Sequence, residues 1–114
     1  MMALGMDIVA VKRFKGIKDN PLKLEKIFTE NEIAYCLSKA VCQESFAGHF
    51  AAKEATIKAF SSFGKKLSLK HVEITHSSDG GPFVHIKDSP EYEIMVSIAH
   101  EKEYAVASAL VIKK

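Results

Sequence analysis

One stretch in the middle of the chain constrains the fold most, because its apolar residues recur at helical spacing. Phe46, Phe50, Ile57 and Phe60 are separated by four, seven and three positions. Such spacings put side chains on a single stripe of an α-helix. The pattern predicts a long helix from about Ser45 to Ser62 whose apolar stripe faces the core.

Three charged residues lie on or beside this predicted stripe. At about 100° per residue, Glu54 falls on the border of the stripe and Lys58 lies one turn further along. A Glu and a Lys at this spacing most often form a surface ion pair, so the pair alone indicates no chemistry. Lys53 falls inside the stripe, where it needs a buried partner or a subunit interface.

Length, charge and cysteine content narrow the class of protein. The 114 residues suit one domain, 1–114, with one core. Sixteen basic residues nearly balance 14 acidic ones, which argues against nucleic acid as a partner. No apolar run approaches the ~20 residues of a membrane span, no signal peptide is visible, and the two cysteines match no metal or redox spacing. We expect a cytoplasmic protein that binds neither membrane nor nucleic acid.

The N-terminal part combines an apolar strand with a basic segment. The run Ala3–Val9 predicts a buried strand. Its acid, Asp7, needs a partner and is interpreted either as the cap of a following helix or as a metal ligand. The segment Ala10–Lys18 predicts a basic helix, which is either a solvated face or a docking surface for an acidic partner.

Helix start signals follow this basic segment. Asn20 and Pro21 have the residue types of an N-cap and a first helical position. Thr29 and Glu32 fit a capping box, which predicts a helix from Glu30 to about Leu37. We interpret this motif as local architecture and not as chemistry.

After Ser62 the apolar period changes to about two, which is typical of strands. The segment from Val72 to Ile86 predicts a hairpin with its turn at 77–82. Two further strands, Glu93–Ile98 and Tyr104–Ile112, are predicted to be joined by a tight turn at 99–102, with the last strand central in the sheet. Helices followed by an antiparallel sheet, with the N-terminal strand added to it, predict an α+β fold around one long central helix.

A candidate chemical site combines the two acids at the edge of the predicted core. Asp7 and Glu54 supply two carboxylates, which suffice for Mg²⁺ when a substrate adds phosphate oxygens. Lys58 beside them is positioned to neutralise phosphate charge. His100, in the predicted tight turn, is within reach of the same region, although a turn histidine more often makes a single hydrogen bond.

Three separated motifs resemble the signature blocks of the holo-[acyl-carrier-protein] synthases, which are small bacterial-type 4′-phosphopantetheinyl transferases. The motifs are Gly5-Met6-Asp7-Ile8-Val9, Phe50-Ala51-Ala52-Lys53-Glu54-Ala55 and Ser97-Ile98-Ala99-His100. The resemblance implies transfer of phosphopantetheine from coenzyme A to a serine of acyl carrier protein, in fatty acid biosynthesis, with release of adenosine 3′,5′-bisphosphate. It also implies a homotrimer with its active site between adjacent subunits.

The resemblance assigns the reaction centre to three residues. Asp7 and Glu54 match the family's Mg²⁺ ligands, and Lys58 matches the lysine that contacts the pyrophosphate and assists the leaving group. The serine hydroxyl would be deprotonated by Glu54 or by a metal-bound water.

The resemblance also assigns binding residues. His100 matches a histidine near the coenzyme A phosphates, and Gly81-Pro82 is similar to the family's Gly-x-Pro turn near the nucleotide. Arg13 falls where the family has an arginine on the helix that docks the acidic carrier protein. His49 stands where the family commonly has an arginine, which makes one phosphate contact weaker or pH-dependent.

Two alternatives to the transferase are a non-catalytic subunit that binds coenzyme A or a nucleotide, and a metal-dependent pyrophosphate hydrolase. The first would not require both carboxylates as ligands. The second would need further carboxylates in a richer metal site, and the remaining acids form no such motif.

Overall fold

The protein is described by a computed structural model that covers residues 1–114. Three α-helices and five strands are joined by short loops and three 3₁₀ turns. The helices are α1 (Pro21–Ile27), α2 (Glu30–Leu37) and α3 (Cys42–Ser61), and the strands are β1 (Met2–Ala10), β2 (Val72–His76), β3 (Pro82–Ile86), β4 (Tyr92–His100) and β5 (Tyr104–Lys113). No helix is both long enough and apolar enough to cross a membrane.

Helix α3 is the central element that the apolar stripe predicts, and it begins three residues earlier than expected. It is buried on almost every side because a sheet covers one side and the hairpin and α2 cover the other. The predicted stripe of large apolar residues accounts for only part of the buried surface of α3. The remaining contacts are made by small residues that are fully buried: Ala47, Ala51, Ala52, Ala55 and Ala59.

The strands form two sheets, whereas the sequence pattern predicts one. The large sheet has the order β1-β5-β4 with both pairs antiparallel, which confirms β5 as its central strand. The predicted hairpin is correct, but β2 and β3 pair only with each other and form a separate sheet. Strand β4 continues through His100, so the connecting turn lies at 101–103 and not at 99–102.

Strand β1 corrects the prediction of a strand buried on both faces. Its inward residues pack on α3, but Leu4, Met6 and Ile8 are 71%, 68% and 63% exposed. A continuous apolar run does not reveal whether one face or both are covered within the chain. The outer face of the large sheet is therefore apolar and open, and its exposed members are Met2, Leu4, Met6, Ile8, Met95, Tyr104 and Val106.

The basic N-terminal segment is not a continuous helix. It forms two 3₁₀ turns, Val11–Phe14 and Ile17–Asp19, because Lys15 leaves the helical conformation with a ψ of 127° and Gly16 then adopts a φ of 71° before the second turn. Asp7 caps neither turn, since Ala10 stands at the N-cap of the first without a side-chain bond. The predicted starts of α1 and α2 are both confirmed, including the full capping box of α2.

The capping residue Glu32 also takes part in an ion pair inside the core. Its Oε1 lies 2.5 Å from the Nζ of Lys53, and both side chains are fully buried. The same oxygen accepts a hydrogen bond from the backbone N–H of Thr29 at 2.8 Å, and Oε2 accepts one from Ile74 N–H at 2.7 Å. One carboxylate therefore joins α2, α3 and β2.

Lys53 thus pairs within the chain and does not point into a subunit interface. Burial lowers the pKa of Lys53, and the carboxylate of Glu32 opposes this shift. Because both charges have lost their water, each depends on the other for compensation.

Lys53→Met should lower the free energy of unfolding by about 3 kcal/mol, because it leaves the Glu32 carboxylate buried and unpaired. The measurement is urea unfolding, with the exposed Lys66→Met as the control that removes one lysine charge elsewhere. The double variant Glu32→Gln/Lys53→Met should be more stable than Lys53→Met, since it carries no buried charge and keeps a carbonyl oxygen for Ile74 N–H. A single variant as stable as the control would contradict the role of the pair.

Candidate functional site

Two carboxylates and a lysine meet where β1 crosses α3. Lys58 Nζ donates hydrogen bonds to Asp7 Oδ1 and to the backbone oxygen of Met6, both at 3.0 Å. The side chain of Asp7 is only 15% exposed, whereas that of Lys58 is 54% exposed. Glu54 lies one turn before Lys58, is half-buried, and makes no hydrogen bond or ion pair. We call Asp7, Glu54 and Lys58 the carboxylate cluster.

The close approach of β1 to α3 creates this cluster. Gly5 lies against the helix so tightly that a Cβ atom would be 1.9 Å from the carbonyl oxygen of Ala55 and 2.8 Å from the nitrogen of Ala59. Side chains two apart on a strand share one face, so Asp7 points toward α3 as Gly5 does. The glycine and the two alanines thereby bring Asp7 within reach of Lys58.

The cluster suits a cation that shares its ligands with a substrate. The chain contains no group of three or more His, Cys, Asp or Glu that could hold a metal ion by itself. Mg²⁺ commonly takes one or two protein carboxylates and completes its octahedron with water and phosphate oxygens. Asp7 and Glu54 provide that smaller set.

A cavity of about 470 Å³ lies on another side of α3. Its wall is built by α2, the first half of α3, the hairpin turn and the end of β4, and it is rich in basic side chains. The charged and aromatic residues that line it are Tyr35, Lys39, Glu44, His49, His76 and His100. Pro82 and Gly80 also line it, whereas the predicted Gly81 does not.

His100 is fixed on the cavity wall by an acid from α3. Its Nδ1 lies 3.0 Å from Glu44 Oε1. Gly48 leaves room for the end of β4, since a Cβ there would be 3.0 Å from Ile98 and 3.5 Å from the His100 ring. His100 is therefore a positioned strand residue whose ring remains 44% exposed toward the cavity.

His49 is the buried member of a histidine pair. It is 3% exposed; its Nδ1 lies 2.8 Å from the backbone oxygen of Ser45, and its Nε2 lies 2.8 Å from Nε2 of His76. Burial lowers the pKa of His49 to about 4, although the hydrogen bond with Ser45 acts in the opposite direction. The ring of His76 stacks on Tyr35, with centroids 3.9 Å apart and planes 5° apart.

The structure separates the predicted site residues into two groups. The carboxylate cluster lies at the β1 edge of the large sheet, whereas His49, Pro82 and His100 belong to the cavity near the β4 edge. Asp7 pairs with Ala107, which pairs with Ile98. Two strand spacings of about 4.8 Å put the edges roughly 10 Å apart. The two groups therefore do not form one continuous site within a single chain.

Arg13 lies outside both groups, on an exposed basic turn. Its guanidinium lies over the ring of Phe50, 5.0 Å from the centroid. Lys12, Lys15 and Lys18 are exposed around it. This segment presents four cations from one surface, with its apolar residues buried beneath.

Sequence reasoning missed four charged or aromatic residues of the cavity. These residues belong to no motif, because they lie on α2, the loop after it, α3 and β2, and only the tertiary fold brings them together: Tyr35, Lys39, Glu44 and His76. The one available signal was the placement of His76 directly before the hairpin turn, which puts a polar ring at the open end of a strand.

The fold and the site define a class of protein. A small α+β protein built on one central helix presents a lysine beside two carboxylates at one sheet edge and a basic cavity at the other. Carboxylates that share a divalent cation with phosphate oxygens, together with several cationic side chains, are typical of proteins that process ligands with more than one phosphate group.

Comparison with known proteins defines the family more closely. A family model described as the 4′-phosphopantetheinyl transferase superfamily matches residues 3–109. The chain belongs to this superfamily.

Named relatives match over nearly their whole length. The holo-[acyl-carrier-protein] synthase of Thermodesulfovibrio yellowstonii is 46% identical over 110 residues, which cover 95% of this chain and 96% of the relative. That of Ruminiclostridium cellulolyticum is 42% identical over 122 residues, covering 96% and 91%.

Solved structures confirm the predicted α+β fold with its long central helix. The holo-(acyl-carrier-protein) synthase of Bacillus anthracis in complex with CoA (3′,5′-ADP) has a TM-score of 0.83 at 31% identity, with full coverage of both chains. The Helicobacter pylori synthase in complex with coenzyme A has a TM-score of 0.82 at 29% identity, covering 96% of this chain and 99% of that one.

Proposed function

We propose that this protein transfers the 4′-phosphopantetheine group of coenzyme A to a serine of apo acyl carrier protein and releases adenosine 3′,5′-bisphosphate. The family match and the named relatives support the reaction. The observation that supports the location of the reaction site is the contact of Lys58 with Asp7 at 3.0 Å, one helical turn from Glu54. Residues 1–114 act as one transferase domain. The product serves fatty acid biosynthesis, and two free cysteines fit a cytoplasmic location.

The reaction exchanges one phosphorus–oxygen bond for another. The serine oxygen bonds to the β-phosphorus of coenzyme A, and the bond from that phosphorus to the bridging oxygen breaks. The bridging oxygen leaves with the electron pair on adenosine 3′,5′-bisphosphate. Glu54, whose half-buried carboxylate is paired with no side chain of this chain, accepts the serine proton. The Lys58 ammonium stabilises the charge that develops on the leaving phosphate.

Mg²⁺ is the cation that this site suits, and Asp7 and Glu54 would hold it. When bound, it neutralises charge on the pyrophosphate oxygens. The Lys58 ammonium neutralises part of the same pyrophosphate charge, because its Nζ lies beside Asp7.

The cavity binds the nucleotide end of coenzyme A. His100, held by Glu44, contacts the phosphate groups, and the buried His49 supports the cavity wall through its contact with His76. Pro82 and the neighbouring Gly81 form the turn that borders the nucleotide. Lys58 reaches the pyrophosphate from the carboxylate cluster.

Glu54→Gln should lower the transfer rate by roughly 10² to 10⁴, because it removes the proton acceptor and one carboxylate ligand. The measurement is the mass of apo acyl carrier protein after incubation with enzyme, coenzyme A and Mg²⁺, with EDTA as a metal control. Glu91→Gln, an exposed carboxylate outside the site, should retain activity, and both variants should unfold at the same temperature. Full activity in Glu54→Gln would remove the assigned site. Coenzyme A binding by the wild-type protein without any transfer would favour a non-catalytic binding subunit.

The basic turn around Arg13 is the docking surface for the carrier protein, which is acidic. Its exposed cations lie on short 3₁₀ turns whose apolar side chains anchor them in the core. Charge complementarity of this kind speeds encounter and orients the partner.

Arg13→Glu should raise the KM for acyl carrier protein by about tenfold, because it puts an acid opposite an acidic partner. The KM for coenzyme A should not change, since Arg13 touches neither site group. Steady-state kinetics with each substrate varied measure both, and Lys66→Glu controls for the change in net charge. Equal effects on the two KM values would contradict the docking assignment.

The chain acts as a homotrimer in which neighbouring subunits complete one active site. The outer face of the large sheet leaves seven large apolar side chains exposed, which is typical of an association surface. The carboxylate cluster and the cavity lie at opposite edges of this sheet. Packing the β1 edge of one subunit near the β4 edge of the next would bring the two groups together around one coenzyme A.

A mixture of two inactive variants tests this arrangement. Glu54→Gln and His100→Ala should each be nearly inactive alone, and mixing them under conditions that exchange subunits should restore part of the activity. Recovery occurs because some sites then combine an intact cluster from one chain with an intact cavity from another. The transfer assay and light scattering follow activity and assembly. A mixture no more active than its components would indicate a site made by one chain.

A further inference from the structure

The basic turn around Arg13 is tied to the rest of the chain through its backbone. The N–H of Val11 donates to the backbone oxygen of Glu103 at 2.8 Å, and the oxygen of Val11 accepts from Nε2 of Gln43 at 3.0 Å. The backbone oxygen of Arg13 accepts from Nζ of Lys23 at 3.1 Å. The turn after β4, helix α3 and helix α1 therefore each hold this four-residue segment at one point.

These bonds matter because a 3₁₀ turn of four residues has little stability of its own. Within the segment, the N–H of Lys15 donates to the oxygen of Lys12 at 3.1 Å and closes the turn. The buried side chains of Val11 and Phe14 hold the turn against the core. Hydrogen bonds are directional, so the bonds to the oxygens of Val11 and Arg13 orient the backbone from which the Arg13 side chain projects.

Gln43 belongs to neither group of the candidate site. It lies in the first turn of α3 and is half-buried. It does not line the cavity, and its side chain makes no other hydrogen bond within the chain. Because it is uncharged, it adds nothing to the attraction of an acidic partner. Its contact with Val11 therefore acts on the position of the basic turn alone.

Helix α3 contacts the Arg13 region at two points. Gln43 holds the backbone oxygen two residues before Arg13, and the ring of Phe50, two helical turns after Gln43, lies 5.0 Å from the guanidinium. A long cationic side chain loses conformational freedom when a partner binds it. Holding both its backbone and its guanidinium before the partner arrives reduces this ordering cost.

We propose that Gln43 is a positioning residue for carrier-protein docking: its side-chain amide holds the basic turn in the orientation that presents Arg13 to an acidic partner. The assignment rests on the proposed function for the identity of that partner. Gln43 acts through the backbone of the turn and not through charge. Removing its hydrogen bond should therefore weaken docking only where Arg13 is present to be positioned.

The test measures the affinity for apo acyl carrier protein by calorimetry in the absence of coenzyme A. Gln43→Met keeps the length of the side chain and removes the donor, so it should weaken this affinity by roughly fivefold, the scale of one hydrogen bond. In the Arg13→Gln background the same substitution should change the affinity by less than about twofold. Ser61→Ala, which alters an exposed polar residue at the opposite end of α3, should bind as the wild type does.

Amide hydrogen exchange of the unbound protein provides a second readout that needs no partner. The N–H of Lys15, which closes the turn, should exchange faster in Gln43→Met than in the wild type. The N–H of Ala107, in the central strand β5, should exchange at the same rate in both. An unchanged rate at Lys15 would overturn the inference, since the turn would then not depend on Gln43.

The affinities distinguish the role of Gln43 from the proposed function. Wild-type affinity in Gln43→Met, or an equal loss with and without Arg13, would overturn the inference, and normal transfer by these variants would leave the proposed function intact. The expected pattern of affinities in a protein that transfers nothing would support the role of Gln43 and refute the transferase. A wild-type protein that does not bind the carrier protein would refute both.

Discussion

The rest of the structure depends on one buried ion pair, between Lys53 of α3 and Glu32 of α2. The carboxylate of Glu32 also binds backbone N–H groups at the start of α2 and in β2. These contacts fix α2 and the hairpin relative to the central helix, and the cavity lies between those same elements. The stack of Tyr35 on His76 and the contact of His76 with His49 span three elements that this pair holds together. The buried ion pair thus fixes the elements that form the cavity wall, although neither Glu32 nor Lys53 lines the cavity.

Helix α3 supplies residues to both groups of the candidate site. Its first half supplies Glu44 and His49 to the cavity, and its second half supplies Glu54 and Lys58 to the carboxylate cluster. The sheet that covers the helix separates the groups, with β5 between them. In the proposed homotrimer, each group is half of a site, and the apolar outer face of the sheet would join half-sites from different copies.

Much of the fold was predictable because its signals are local. The stripe through Phe50 identified the central helix, and the capping box at Thr29 identified the start of α2 to the residue. The burial of Glu32 was not predictable, because a capping glutamate has the same sequence signature whether water or a buried lysine faces its carboxylate. The carboxylate cluster was predictable from motifs alone. The contact between His49 and His76 was not, because 27 residues separate them and no periodicity relates a helix to a hairpin turn.

The glycine at position 5 has a consequence for the spacing of the carboxylate cluster. With a Cβ only 1.9 Å from the Ala55 carbonyl, no other amino acid fits without moving the strand away from the helix. The absence of a Cβ atom at residue 5 therefore determines how closely the carboxylate of Asp7 approaches Glu54 and Lys58 on α3. Substitutions at Gly5, Ala55 or Ala59 would therefore change that distance without altering any charged side chain of the cluster.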